Sequence, residues 1–173
     1  VNCAAWTAVD DAEANEAVAL AINGTGPANV ARVCAELGSK LVHISTDYVF
    51  SGDAKIPYSE TEITEPKSAY GRTKLAGELA VRDNLPTDHY IVRTAWLYGQ
   101  HGPNFVKTMI NLEKTKDSIS VVDDQIGQPT SALDLASQLV DLGLSNSHAG
   151  IYHGTNSGQA TWFDFAVEIF RLA

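Results

Sequence analysis

Cysteine is scarce in this sequence, and its scarcity limits the chemistry that the chain can carry. Cys3 and Cys34 are the only two cysteines, too few for a disulfide framework and in no metal-ligand spacing. The five histidines also lack metal-binding spacing, and none belongs to an HExxH-type motif. We therefore expect two small buried thiols and no metal site.

Positive charge is also scarce. The chain has 12 lysines and arginines against 21 aspartates and glutamates, a net charge of -9. This balance opposes general attraction to nucleic acid or to an anionic membrane. No apolar run approaches the roughly 20 residues that span a bilayer, and the amino terminus lacks a signal-peptide pattern. We therefore expect a cytoplasmic protein without a nucleic-acid or membrane partner.

Methionine occurs once, at Met109, so no methionine marks residue 1 as a natural start. Residues 1–5 resemble the end of a strand that runs into a loop, and the helical pattern of residues 163–173 ends without a cap. With 173 residues and 45% hydrophobic content, the chain can still bury a sizeable core. We expect a folded piece of a longer protein, truncated at both ends.

Predicted strands and helices alternate along the chain. A capping box of Asp10 and Glu13 opens a predicted helix over residues 11–37, bent near Gly24 and ended by Gly38. The remaining pattern predicts strands over residues 40–44, 90–93, 119–122 and 150–153, helices over 68–82, 104–113, 132–144 and 162–172, and a loop over 51–67. The alternation predicts a mainly parallel sheet with helices on both faces.

Tyr70 and Lys74 supply a phenol and an ammonium four residues apart in the helix predicted over residues 68–82. This spacing puts both side chains on one helix face, about one turn apart. A nearby cation favours the phenolate, so Lys74 is expected to lower the pKa of Tyr70 from its usual value of about 10. The phenol could then exchange a proton near neutrality. The alternative is an apolar ring beside a lysine stem on a solvated helix.

Polar residues follow the predicted strand that ends near residue 44. Ser45, Thr46 and Asp47 come at the point where a parallel strand would end. Ligands of open α/β sheets bind outside the carboxyl ends of the strands. We therefore expect these side chains and the tyrosine–lysine pair to meet at one crevice, in an arrangement suited to carbonyl reduction.

Six segments together carry a family resemblance. They are VNCAAWTAVD (1–10), VHISTDYVF (42–50), YGRTKLAGE (70–78), RTAWLYG (93–99), NFVKTM (104–109) and DQIGQPT (124–130). In this order they resemble the dTDP-4-dehydrorhamnose reductases, a family of extended short-chain dehydrogenase/reductases. The resemblance implies an α/β fold, a Rossmann-type doubly wound parallel sheet with a small C-terminal substrate-binding portion. Residues 1–100 would be a partial NAD(P)-binding Rossmann domain with the catalytic part. Residues 101–173 would be mostly the substrate-binding portion, with some Rossmann elements interleaved.

A glycine-rich turn is absent from the sequence. Members of this family begin with a strand, such a turn and a helix whose N-terminus binds the cofactor pyrophosphate. The resemblance therefore implies that about the first third of the Rossmann-type domain is missing and that the fragment alone is inactive. It implies NADPH or NADH as the cofactor, without a preference between the two.

The resemblance implies roles for the residues at the expected crevice. Tyr70 would be the general acid that protonates the C4 oxygen of the substrate. Lys74 would lower the pKa of that tyrosine and hydrogen-bond the nicotinamide ribose. Thr46 would orient the substrate carbonyl, unless its hydroxyl only caps a turn at the strand end. Ala4 and Ala5 match the loop that lets the cofactor pass closely.

Other matched residues are implied to contact the substrate. Asp47 would bind sugar hydroxyls, with turn capping as its alternative. Trp96 would pack on the sugar, with burial in the core as its alternative. Asn104 would either cap the following helix or offer its amide to the nucleotide diphosphate. Residues 128–130 would lie near the nucleotide, whereas Trp162 is expected to be a core residue.

The resemblance implies NAD(P)H-dependent reduction of the C4 keto group of dTDP-4-dehydro-L-rhamnose to dTDP-L-rhamnose. The substrate partner would be a dTDP-4-keto-6-deoxy sugar, and a homodimer or a fusion with an epimerase domain is compatible with the family. Two other interpretations stay open: a regulator resembling the regulatory β subunit of methionine adenosyltransferase, and another nucleotide-sugar dehydrogenase or epimerase. The joint presence of Thr46, Tyr70, Lys74 and Trp96 favours the reductase over a regulator, and the STDYVF string disfavours an epimerase.

Overall fold

A computed structural model describes residues 1–173 and divides them into two units. The first unit comprises Val1–Thr94 and Leu139–His153, and the second comprises Ala95–Gln138 and Gly154–Ala173. The chain therefore leaves the first unit near residue 95, returns to it at residue 139 and leaves it again at residue 154.

The secondary structure consists of α-helices, short β-strands, one π-helical turn and one 3-10 turn. The helices are α1 (Val9–Ala14), α2 (Glu16–Leu20), α3 (Gly26–Leu37), α4 (Ala69–Asn84), α5 (Phe105–Glu113), α6 (Ala132–Leu144) and α7 (Trp162–Leu172). The strands are β1 (Leu41–Thr46), β2 (His89–Thr94), β3 (Leu97–Tyr98), β4 (Ile126–Gly127), β5 (Thr130–Ser131), β6 (Gly150–His153) and β7 (Ala160–Thr161). A π-helical turn covers Ala21–Thr25 and a 3-10 turn covers Asp47–Val49.

The first unit is built on a three-stranded parallel sheet in the order β1, β2, β6. Thr46 lies opposite Thr94, so the carboxyl ends of β1 and β2 are level. On the other side of β1, Asn2 forms a parallel bridge with His43. The predicted parallel sheet is therefore confirmed, and the end of β1 lies at an edge where strands of the same direction finish.

Burial of apolar side chains between the sheet and the helices stabilises the first unit. All six residues of β2 are buried, as expected of a parallel strand covered on both faces. The core cluster contains Ala31 of α3, Val81 and Leu85 at the end of α4, and Leu41 and Ile91 of the sheet. This packing fixes α4 along the sheet.

The helix predicted over residues 11–37 is interrupted, and the predicted capping box is wrong. Ala8 occupies the N-cap of α1 and forms no side-chain cap, because the Glu13 carboxylate instead accepts a hydrogen bond of 2.8 Å from the Ala69 amide. The helical path then breaks at Asn15 and widens into the π-helical turn. Gly38 ends α3 in the left-handed region, as predicted.

The second unit contains two small two-stranded sheets and a separate core. Strand β3 pairs with β5 in parallel, and β4 pairs with β7 in antiparallel orientation. Met109 of α5 and Ala166 and Ile169 of α7 form the buried centre of the core. The strand predicted over residues 119–122 is wrong, because the carbonyl of Val122 accepts a hydrogen bond from the Phe163 amide at the start of α7.

The structure tests two further expectations, one for residues 51–67 and one for the two thiols. The loop predicted over residues 51–67 is confirmed, since no helix or strand lies there. The expected burial of both thiols is wrong: Cys3 is exposed, and Cys34 is only partly buried. No helix combines the length and apolarity needed to cross a bilayer. No cluster of three or more His, Cys, Asp or Glu residues has a metal-binding arrangement.

Candidate active site

Tyr70 and Lys74 lie in the first two turns of α4. The helix begins because the Ser68 hydroxyl accepts a hydrogen bond of 3.0 Å from the Gly71 amide, a standard N-cap. The predicted helix over residues 68–82 is thereby confirmed within two residues at its C-terminal end. Tyr70 is partly buried and Lys74 is buried. The phenol and the ammonium therefore occupy one face of α4 near the carboxyl end of β1.

Lys74 is tied to the sheet. Its Nζ donates a hydrogen bond of 2.6 Å to the carbonyl oxygen of Ile44 in β1. Burial lowers the pKa of Lys74 to about 8, and the negative charge of Glu78 opposes this shift. At neutral pH the side chain is therefore mainly an ammonium, although it holds its proton less tightly than an exposed lysine does.

The pKa of Tyr70 moves opposite to the sequence expectation. Burial raises it to about 12, the Thr46 hydroxyl acts to lower it, and the charge of Asp47 raises it further. The expected lowering by Lys74 is wrong for this structure, because burial dominates and the ammonium is directed to the Ile44 carbonyl. Tyr70 consequently keeps its proton at neutral pH, which is the state that a proton donor requires.

Thr46 ends β1 and caps the next turn. Its hydroxyl accepts a hydrogen bond of 3.2 Å from the Tyr48 amide and donates one of 3.0 Å to the Asp47 carboxylate. Burial raises the pKa of Asp47, while the hydrogen bond from the Thr46 hydroxyl and those from main-chain amides to the carboxylate act to lower it. The capping role weighed from the sequence is therefore present in Thr46. The same hydroxyl lies close enough to Tyr70 to influence its pKa.

Gly71 allows α4 to touch the turn that follows β1. A Cβ atom at this position would lie 2.2 Å from the Tyr48 carbonyl oxygen, which no side chain can tolerate without movement. The rings of Tyr48 and Tyr70 then meet edge to face, with centroids 5.5 Å apart. Sequence reasoning missed this glycine, although its position directly after Tyr70 was a usable signal. The close approach brings Tyr70 beside Thr46.

The loop that carries Ala4 and Ala5 is anchored by Asn23. This fully buried side chain accepts a hydrogen bond of 2.8 Å from the Trp6 amide and donates one of 3.1 Å to the Trp6 carbonyl. It also donates a hydrogen bond of 3.1 Å to the hydroxyl of Thr73 in α4. Sequence reasoning missed Asn23, which is one of three asparagines in the alanine-rich stretch of residues 11–37. Asn23 fixes the loop to the helix of Tyr70 and Lys74.

His43 is a neutral neighbour of Lys74. Burial, together with the charge of Lys74, lowers the pKa of His43 to about 3. One ring nitrogen is hydrogen-bonded to Asn2 at 3.2 Å, and the other has no partner. Because the imidazole is neutral at neutral pH, His43 adds no second positive charge near Lys74.

A buried ion pair was also missed from the sequence. Arg93 of β2 binds both carboxylate oxygens of Glu78 in α4, at 2.9 and 2.7 Å. Ser45 donates a further hydrogen bond to the same carboxylate, and the guanidinium lies 4.8 Å from the centre of the Phe50 ring. The strand pattern of residues 90–93 indicated burial but not its polar partner. The pair joins α4 to two neighbouring strands.

Trp96 belongs to the second unit and has an unusual backbone conformation. Its φ of 47° makes it the only non-glycine residue with a positive φ. Strain of this kind costs about 1–3 kcal/mol and is often found at ligand sites. The indole stacks on that of Trp162, with ring centroids 3.6 Å apart. Trp162, which was expected to be a core residue, is only partly buried and contacts the residue expected to bind the sugar.

Asn104, also in the second unit, caps α5. Its side-chain oxygen accepts a hydrogen bond of 3.2 Å from the Lys107 amide, and its nitrogen donates one of 2.9 Å to the Gly99 carbonyl. The capping alternative weighed from the sequence is therefore the arrangement found. Within residues 128–130, the Thr130 hydroxyl donates a hydrogen bond of 2.9 Å to the Gln128 carbonyl.

The candidate residues thus fall into two groups. The first unit brings together the residues proposed for proton transfer and the loop proposed for the cofactor: Thr46, Asp47, Tyr70 and Lys74, with Ala4 and Ala5. The second unit contains Trp96 and Asn104. The parallel α/β sheet, with a tyrosine and a lysine one helical turn apart beside a strand end, defines the class of short-chain dehydrogenase/reductases.

Within that class, the chain belongs to the family described as RmlD substrate binding domain, whose model matches residues 1–173. It is 54% identical over 172 residues to the dTDP-4-keto-6-deoxy-D-glucose reductase of Streptomyces niveus, covering 99% of this chain and 59% of that protein. It is 44% identical over 177 residues to the dTDP-4-dehydrorhamnose reductase of Salmonella typhimurium, covering 100% of this chain and 59% of that protein. The family resemblance drawn from the six segments is confirmed.

Solved structures agree with the fold. The dTDP-4-dehydrorhamnose reductase of Clostridium acetobutylicum is 52% identical with a TM-score of 0.92, over 99% of this chain and 60% of that one. The Bacillus anthracis dTDP-4-dehydrorhamnose reductase in complex with NADP is 47% identical with a TM-score of 0.94, over 98% of this chain and 60% of that one. The α/β fold with its parallel sheet is therefore confirmed, and the chain spans about 60% of the length of these relatives.

Proposed function

We propose that the protein carrying this chain reduces the C4 keto group of dTDP-4-dehydro-L-rhamnose to dTDP-L-rhamnose, with NADPH or NADH as the reductant. The names of the relatives support a reductase of dTDP-4-keto sugars. The observation that carries the proposal is local: Tyr70 is a protonated phenol beside Thr46, with the Lys74 ammonium one turn further along α4.

Tyr70 is the proton donor in this proposal. When bound, NADPH or NADH supplies the hydride that adds to C4. The electron pair of the carbonyl π bond moves to oxygen, and Tyr70 gives its phenolic proton to that oxygen as the C4 hydroxyl forms. The Thr46 hydroxyl keeps its proton and donates a hydrogen bond to the carbonyl oxygen or to the phenolate, which orients the substrate against Tyr70. The phenolate left behind is reprotonated from solvent.

Lys74 stabilises the phenolate that forms on Tyr70. In the resting structure burial makes that phenolate unfavourable, as the pKa of about 12 indicates. An ammonium on the same helix face offsets part of this cost as the proton leaves, since opposite charges favour the ionised form. The chemistry therefore needs Lys74 charged and Tyr70 neutral before the reaction, which is the combination present at neutral pH.

The donors and the loop fit a nicotinamide cofactor. An ammonium has three N–H donors, and the Ile44 carbonyl uses one of those of Lys74. The other two suit ribose hydroxyls. Ala4 and Ala5 present small side chains on a loop that Asn23 holds beside α4, so a dinucleotide could approach the main chain closely. Tyr70, Lys74, Ala4 and Ala5 are therefore the residues of this chain proposed to hold the cofactor.

Trp96, Asp47 and Asn104 are proposed to contact the substrate. The face of an indole suits the C–H surface of a 6-deoxy sugar, and Trp96 is only partly buried. Asp47 can accept hydrogen bonds from sugar hydroxyls once they replace the Thr46 hydroxyl. The side-chain amide of Asn104 is occupied by capping, so its contribution would come through the N-terminus of α5 that it organises.

The test is substrate-dependent oxidation of reduced nicotinamide by the complete protein. We expect NADPH or NADH to be consumed only when a dTDP-4-keto-6-deoxy sugar is added, with dTDP-L-rhamnose as the product from dTDP-4-dehydro-L-rhamnose. A protein that binds the nucleotide sugar without consuming either cofactor would support the regulatory alternative. A protein that instead inverts a sugar stereocentre without net oxidation of the cofactor would support the epimerase alternative.

A further inference from the structure

A buried carboxylate follows the tyrosine and the lysine on the same face of α4. Tyr70, Lys74 and Glu78 lie at intervals of four residues in this helix, so each is one turn from the next. Glu78 is 1% exposed and Lys74 is 2% exposed. Stability alone does not require a charge at this place, since well-packed apolar residues often replace a buried ion pair without loss. The position of Glu78 therefore calls for a further reason.

Two strands hold the carboxylate of Glu78 in place. Arg93 of β2 donates to both of its oxygens, at 2.9 and 2.7 Å, and the Ser45 hydroxyl of β1 donates a third hydrogen bond. Ser45 and Arg93 are opposite each other in the register of the two strands. Ser45 directly follows Ile44, whose carbonyl accepts the hydrogen bond from Lys74. The same stretch of β1 thus fixes both the carboxylate and the ammonium.

Glu78 supplies the negative charge that acts on Lys74. Burial lowers the pKa of Lys74 to about 8, and the charge of Glu78 opposes that shift. On β1, His43 is neutral because its pKa is lowered to about 3. On β2, Arg93 binds the carboxylate, and on α4 Tyr70 keeps its proton, with a pKa of about 12. Without the carboxylate, burial would act on the ammonium unopposed.

We propose that Glu78 is a positioning residue of the reduction, whose fixed carboxylate keeps the Lys74 side chain charged beside Tyr70. The inference rests on the proposed function, in which the ammonium stabilises the tyrosine phenolate. Glu78 touches neither substrate nor cofactor in this scheme and acts through the lysine. Removal of its charge lowers the pKa of Lys74 below about 8, so the charged, active form is lost at a lower pH.

The experiment removes the ion pair without leaving one partner buried alone. In the complete protein, one double variant combines Glu78→Met with Arg93→Met, and a second combines Glu78→Gln with Arg93→Gln. The matched control combines Glu168→Met with Arg171→Met, which removes an exposed ion pair by the same substitutions. Any difference between the buried and the exposed pair then belongs to the site.

Two readouts follow the lysine. NMR titration of the protein with lysine labelled with carbon-13 at Cε reports protonation without turnover, and the signal missing from Lys74→Arg assigns the resonance. The pH profile of kcat/KM with NADPH and a dTDP-4-keto sugar reports the group that the reduction needs. The first readout is independent of activity, so it tests the action of Glu78 on Lys74 separately from the chemistry.

We expect the titration midpoint of Lys74 to fall by about one pH unit in both double variants, the lower end of the effect of a nearby opposite charge. The alkaline limb of kcat/KM should move down equally, so that the rate at about pH 7.5 falls roughly threefold. At about pH 6 the rate should stay within about twofold, since the lysine is charged there in every variant. The control should leave both readouts unchanged.

An unchanged midpoint of Lys74 in a folded double variant would overturn the proposal, because the carboxylate then has no effect on the lysine. An equal loss of rate at every pH would also overturn it, since a purely structural role has that effect. If the methionine pair does not fold, the glutamine pair decides in the same way, because its amides can still hydrogen-bond Ser45. A midpoint that falls while the limb of kcat/KM stays in place contradicts instead the proposed function, in which the reduction needs the ammonium.

Discussion

The Lys74 ammonium donates a hydrogen bond of 2.6 Å to the carbonyl oxygen of Ile44 in β1. This contact ties the helix of the candidate proton donor to the end of the strand that carries Thr46. The contact holds the lysine in a buried position, and burial is what lowers its pKa to about 8. Lys74 is therefore a structural link, and in the proposed mechanism it is also the cation that supports ionisation of Tyr70.

Replacement of Lys74 by methionine should impair reduction strongly. Methionine has a similar length but no charge, so the Tyr70 phenolate would lose its stabilising cation. We expect kcat/KM to fall by roughly 100-fold or more, within the range typical of acid–base catalysis. Steady-state kinetics with a dTDP-4-keto sugar would measure it. Lys116→Met, at an exposed site, is the control and should stay within about twofold of the original rate.

The pH dependence of kcat/KM should show an alkaline limb that belongs to Lys74. The active form needs the ammonium, and burial lowers the pKa of Lys74 from 10.5 to about 8, so activity should fall as the pH rises through about 8. Tyr70, with a pKa of about 12, stays protonated across this range and contributes no limb there. Lys74→Arg should be slower but should lose the limb, since arginine keeps its proton. A limb at the same pH in Lys74→Arg would show that another group causes it.

Gly71→Ala should destabilise the fold and reduce activity together. The new methyl group would meet the Tyr48 carbonyl at 2.2 Å, so α4 must move away from the turn after β1. We expect a loss of about 1–3 kcal/mol in the free energy of unfolding, as for other overpacked sites. Chemical denaturation would measure this loss, and kcat would report the displacement of Tyr70. Gly150→Ala is the control, because a Cβ atom there meets nothing within 4 Å.

Breaking the buried ion pair should cost more than removing it. Glu78→Gln leaves the Arg93 guanidinium buried without its carboxylate, and we expect a loss of about 3–5 kcal/mol in unfolding free energy. The double variant with methionine at both positions should recover most of that loss. Urea denaturation would measure both. The exposed pair of Glu168 and Arg171 provides the comparison, since Glu168→Gln should change the unfolding free energy little.

The sequence predicts the elements of the candidate site better than it predicts their contacts. Helix α4 follows from its periodicity and from Ser68, and the position of Thr46 follows from the apolar strand before it. The direction of the Tyr70 pKa could not follow from its spacing to Lys74, because it depends on burial by residues distant in sequence. The contacts of Asn23 with Trp6 and Thr73 depend in the same way on tertiary packing.

Two features of the second unit illustrate the same limit. The amphipathic pattern of α7 predicted a core position for Trp162, but this residue is only partly buried, and nothing in that pattern indicated a stack with Trp96. Residues 119–122 have the composition of a strand. They lack a partner strand, and the helix start at Phe163 uses the Val122 carbonyl instead. Local propensity identifies which segments can form an element, and tertiary partners decide which do.

The central claim is that Tyr70 donates the proton in a nicotinamide-dependent reduction, and one comparison tests it most directly. The complete protein and its Tyr70→Phe variant would be mixed with NADPH and dTDP-4-dehydro-L-rhamnose, and consumption of NADPH would be followed. Tyr152→Phe serves as the control, since its hydroxyl bonds only the His148 carbonyl. We expect a kcat roughly 100- to 10,000-fold lower for Tyr70→Phe, with substrate affinity nearly retained. An unchanged kcat in Tyr70→Phe would contradict it.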